Sequence, residues 1–206
     1  MRRGAGRDRQ RLDAGATPAA LIWSAALLAA PFLSFAPAQA LPWGIGAALL
    51  LGVFPPVLVA YLKKRNDLRR FGPSSLPPVV LGAAALGFML QRLILWLDGP
   101  LALSAAVFAL LAAAMVLLVA NAFTTWSWLD VTLGAALVIM PVTALIAFDG
   151  GIGLAGAATT GGFMAAAMIV RFVKGAAARH LIACGIGAVA GGGLFLWLLK
   201  ASRIVN

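Results

Sequence analysis

His180 is the only histidine in a chain of 206 residues. Imidazole is the side chain best suited to proton transfer or nucleophilic attack near neutrality. It closes the segment Arg171-Phe172-Val173-Lys174-Gly175-Ala176-Ala177-Ala178-Arg179-His180, which carries three cations. A lone histidine at a helix start is also a common cap or interface residue, so both roles stay open. A second cluster, Tyr61-Leu62-Lys63-Lys64-Arg65-Asn66-Asp67-Leu68-Arg69-Arg70-Phe71-Gly72-Pro73, places five cations within eight residues. At a membrane surface such a group attracts phosphate, because several donors converge where the dielectric falls. It also serves simply to fix orientation. A third segment, Thr124-Thr125-Trp126-Ser127-Trp128-Leu129-Asp130-Val131, offers a serine and one carboxylate. One Cys and one His leave no ligand set for a disulfide framework, a metal centre or a bis-histidine haem, and no cofactor is expected.

The elements that must position these groups are transmembrane helices. Apolar residues make up 63% of the chain and charged residues 11%, with a mean hydropathy of +1.00. Soluble domains carry about a quarter charged residues, so this composition predicts an integral membrane protein. Runs of about 20 apolar residues predict helices over roughly 17–37, 41–62, 77–97, 101–120, 131–148, 152–173 and 181–199. The expected fold is all-α, a polytopic transmembrane helical bundle of six to seven spans. Residues 1–16 form a basic tail, 17–199 the transmembrane domain and 200–206 a short C-terminal tail. The turns carry Asp98-Gly99-Pro100 and Asp149-Gly150-Gly151.

Arg2 and Arg3, the apolar stretch Leu21–Phe35 and Ala38-Gln39-Ala40 mimic a cleavable signal peptide. A retained first helix with small residues at its exit is the expectation adopted. Its removal would leave six spans and the same sidedness.

Charge sets that sidedness. There are 16 basic residues against six acidic ones, all Asp, for a net charge of +10. With the N-terminus inside, the segments 1–16, 63–76 and 171–180 hold five, five and three Lys or Arg residues, so 13 of the 16 are inside. Lys200 and Arg203 fall outside and are the exception. The basic excess therefore fits topology and anionic headgroups, and no nucleic-acid partner is expected. The predicted location is a bacterial inner membrane with a cytoplasmic N-terminus.

Few polar groups lie within the predicted spans. Gln91 and Arg92 lie near the end of the third, where the arginine can snorkel to the headgroups or face inward toward an anion or a partner subunit. Gly187 and Gly191 have the spacing that lets helix backbones approach closely. No Asp lies inside a predicted span, which argues against a proton relay on an intramembrane carboxylate.

The order of the three chemical segments resembles the type 2 phosphatidic acid phosphatase superfamily, which acts on lipid and polyprenyl phosphates. That family carries Lys-x6-Arg-Pro, Pro-Ser-Gly-His and Ser-Arg-x5-His-x3-Asp on one membrane face, separated by pairs of spans. Lys63 and Arg70 match Lys-x6-Arg, with Phe71 replacing the proline. Lys174 stands at the arginine position six residues before His180, and Val173 replaces the serine. His180 matches the nucleophile, whereas Cys184 occupies the position of the aspartate that orients it. The middle segment lacks the histidine that protonates the leaving group, and Asp130 is the one residue there able to substitute.

The resemblance implies phosphate contacts from Lys63, Arg70, Lys174 and Arg179, with His180 and Asp130 as catalytic candidates. With the orienting acid and the second histidine missing, the expectation is a catalytically degenerate protein rather than an enzyme. It would bind an anionic lipid or polyprenyl phosphate as an accessory or carrier component. Two other readings remain: a structural subunit or assembly factor packing against other membrane subunits, and a divergent lipid phosphatase using His180.

Overall fold

A computed structural model describes residues 18–64, 76–121, 123, 126–148, 150–174 and 177–202. Every regular element among them is helical. Helix α1 runs from Pro18 to Leu33 and tightens into a 3₁₀ turn over Ala30–Leu33. Helix α2 joins Pro37–Ala47, a π-helical segment Ala48–Val53 and Phe54–Lys64. Helices α3 to α6 span Leu76–Trp96, Leu101–Ala120, Trp128–Ala147 and Gly150–Lys174. Helix α7 joins Ala177–Gly187, a second π-helical segment Ala188–Gly193 and Leu194–Ala201.

Five stretches are long and apolar enough to cross a membrane: Pro37–Leu58, Leu101–Ala120, Trp128–Ala147, Gly150–Val173 and Ala178–Ala201. Pro18–Leu33 and Leu81–Trp96 are shorter apolar helices. The helical bundle expected from hydropathy is present, with five spans of full length among the described residues.

Local chemistry explains the breaks. The α3–α4 turn is a glycine-type helix stop in which Asp98 adopts φ 49° and the Gly99 N–H donates to the Ile94 carbonyl at 2.7 Å. Pro100 then caps α4 in an extended conformation. In α2 the π-helical segment immediately precedes Pro55 and Pro56, which have no N–H to donate to the carbonyls of Leu51 and Gly52. Widening the helix there relieves the clash between each proline ring and the carbonyl four residues earlier. The π-helical segment of α7 ends in Gly191-Gly192-Gly193, where the absence of side chains lets the helix lie close to Ala135 and Val138 of α5.

Helix α4 is central. Leu103, Ala106, Val107, Ala109, Leu110, Ala113 and Leu117 are all buried, and they join Trp23, Leu27, Ile94, Ile139, Phe195 and Leu199 in one core. Helix α1 is built into that core and is pinned to α5 by the Trp23 indole N–H, which donates to Thr132 Oγ1 at 3.1 Å. Gln91 is buried on α3, donating to the Ser104 carbonyl at 2.8 Å and accepting from the Ser104 hydroxyl at 2.6 Å. Arg92 takes the exposed course, its guanidinium 5.2 Å from the centre of the Phe88 ring. Helix α6 lies at the edge of the bundle, with Ile152, Phe163 and Val173 each more than two-thirds exposed. Such an apolar outer surface is stable against lipid and not against water.

Candidate functional site

Helices α5, α6 and α7 meet at one end of the bundle, and their chain directions dictate which residues arrive there. Asp130 lies in the first turn of α5, where the helix dipole favours an anion. Arg171 lies in the last turn of the antiparallel α6, where the dipole favours a cation. The short link to α7 returns the chain at the same end, so His180 enters one turn into that helix.

The three side chains form one cluster. Arg171 Nε donates to Asp130 Oδ1 at 3.0 Å, and its Nη2 donates to Oδ2 at 3.3 Å. His180 Nδ1 lies 2.7 Å from the same Oδ2. Asp130 is 2% exposed, whereas the His180 and Arg171 side chains are 21% and 37% exposed. The carboxylate is thus buried and fully engaged, while both of its partners reach the surface. A guanidinium has five N–H donors, so those not used on Asp130 remain for another acceptor. Arg179 is exposed beside His180.

Glycine contacts set the close approach of α5 and α7 beneath this cluster. A side chain at Gly134 would collide with the backbone of Cys184, and one at Gly187 would collide with the backbone of Val131. His180, Cys184 and Gly187 therefore line one face of α7, at helical spacing, against α5. Cys184 is buried there one turn below His180. Ser127 precedes α5 in extended conformation without capping it, and its hydroxyl oxygen is buried with no hydrogen-bond partner.

Asp130 and His180, the two residues marked for catalysis by the sequence, are in contact. Asp130, the expected stand-in for the middle histidine, contacts Nδ1 of His180. Asp130 is also more enclosed than its place at a span's edge suggests. Arg171 is the site residue that the sequence counted only as a topogenic charge. Its available signal was an acid in the first turn of one span and a base in the last turn of the next. Lys63 and Lys174 lie in the last turns of α2 and α6, but their side chains fall outside the described residues, as does Arg70 entirely. Among the described residues no group of three or more His, Cys, Asp or Glu side chains could hold a metal ion.

No protein-family model, curated protein or solved structure matches this chain.

Proposed function

We propose that this membrane protein binds the phosphate of an anionic lipid or polyprenyl phosphate at the end of the bundle that carries Arg171 and His180. It does so as a catalytically degenerate counterpart of the lipid phosphatases it resembles, in an accessory or carrier role. The observation that carries the proposal is a partly exposed arginine and histidine held together by a buried carboxylate. Such support orients donors before a ligand arrives and reduces the ordering cost of binding. The expected alternation of spans puts Lys63, Arg70 and Lys174 on the same side of the membrane as this end of the bundle. A phosphate at this end would meet the Arg171 guanidinium, and an acyl or prenyl chain would lie against the apolar helices. The positive-inside pattern puts this face in the cytoplasm, consistent with a bacterial inner membrane.

The test is binding of a labelled polyprenyl phosphate to the detergent-solubilised full chain. Neutralising Lys63, Arg70 and Lys174 together with glutamine abolishes binding if the proposal holds, while the elution profile stays native. Undetectable binding by the unaltered protein refutes it and leaves the structural-subunit reading.

The contact between His180 Nδ1 and Asp130 favours a second reading, a divergent lipid phosphatase. An oriented imidazole is one requirement for in-line attack on phosphorus. No second histidine exists to protonate the leaving group, which keeps binding ahead of turnover. Phosphate release from a lipid phosphate, lost in His180→Ala, would establish the enzyme.

A further inference from the structure

Arg171 does more in this geometry than balance a charge. A carboxylate held by one donor can rotate about its Cβ–Cγ bond, and a histidine bound to it can change ring nitrogen. Here Arg171 engages both oxygens of Asp130 through Nε and Nη2, which fixes the carboxylate plane as a forked pair does. Oδ2 is then left 2.7 Å from His180 Nδ1. A carboxylate paired with a guanidinium accepts hydrogen bonds and donates none. The hydrogen in the His180 contact therefore sits on Nδ1. In the neutral ring the other nitrogen, Nε2, then carries the lone pair and acts as an acceptor.

Among the described residues, no other anion is placed at Nδ1. Asp130 comes from α5, Arg171 from α6, and Arg179 and Cys184 from α7 itself; of these, only Asp130 is an anion. Gly134 and Gly187 hold α5 and α7 at backbone contact just below, which keeps the His180 backbone within reach of the carboxylate.

We propose that Arg171 is a positioning residue that acts through Asp130 to hold His180 as the Nδ1–H tautomer with an open Nε2 lone pair.

The single histidine makes the tautomer directly observable, because the ¹⁵N-labelled imidazole gives one spin system. The full chain in detergent micelles shows a protonated Nδ1 and a pyridine-type Nε2. In Arg171→Gln and in Asp130→Asn the ring relaxes toward the Nε2–H form. Arg171→Lys keeps the charge and loses the fork, so it also relaxes the ring, and it preserves the test if either of the other two fails to fold. An Nε2–H ring in the unaltered protein, or a tautomer unchanged in both Arg171 variants, overturns the positioning role.

Discussion

The Asp130–Arg171 pair predicts an asymmetry that a surface ion pair would not show. Breaking a buried pair is expensive chiefly because it strands the partner that cannot reach water. Here that partner is Asp130, at 2% exposed, while Arg171 is 37% exposed. Arg171→Gln leaves a buried carboxylate with His180 as its remaining partner, a loss of about 3 kcal/mol, at the low end of the range for stranded buried charges. Asp130→Asn removes the buried charge, and Arg171 regains hydration. That variant loses the charge assistance in its contacts, for a cost of about 1.5 kcal/mol. Once the carboxylate is gone the arginine has little left to do, so the double variant resembles Asp130→Asn. The implied coupling is about 3 kcal/mol, at the upper end of the range found for residues in direct contact. At roughly 2–4 °C per kcal/mol for a chain of this length, Arg171→Gln lowers the melting temperature by about 10 °C and Asp130→Asn by about 5 °C. Thermal unfolding of the four proteins in one detergent supplies the cycle. Additive losses, or a larger loss from Asp130→Asn than from Arg171→Gln, would refute the assignment of the buried carboxylate as the group that needs its partner.

Three further outcomes follow from the packing. Gly134→Val and Gly187→Val each drive a side chain into the facing backbone, at Cys184 and Val131 respectively, and lower the melting temperature strongly. Gly162→Ala, with open space around its added methyl, changes it little or raises it by the roughly 0.5–1 kcal/mol gained on leaving glycine in a helix; a loss equal to that of Gly134→Val would contradict the close approach. Gln91→Leu strands the Ser104 hydroxyl within the α3–α4 interface and costs about 1–3 kcal/mol, measured by the same melt. Trp23→Phe removes the donor to Thr132 Oγ1 and costs about 1 kcal/mol, and an unchanged melt would mean that α1 is not held through that bond.

Much of the architecture was legible because hydropathy, turn residues and charge are sums along the chain. Apolar runs located the helices, and Asp98-Gly99-Pro100 located a stop. The π-helical segments were not visible in those sums. They depend on how Pro55 and Pro56 fit the preceding turn and on how closely Gly191 and Gly192 lie against α5.

The candidate site divides along the same line. Sequence alone determined that Asp130, Arg171 and His180 lie near one end of the bundle, because alternating spans and short links leave little choice of side. It could not determine that they touch. Contact depends on the rotation of each helix about its own axis, and a helix that is apolar nearly all round, such as α4 or α5, has no amphipathic stripe to set that rotation. Backbone contacts at Gly134 and Gly187 bring α5 against α7, and the buried carboxylate recruits the guanidinium and the imidazole within reach. Tertiary structure thus decided the pairing, for a physical reason: a carboxylate shielded from water must find its partners in three dimensions, and here they come from two other helices.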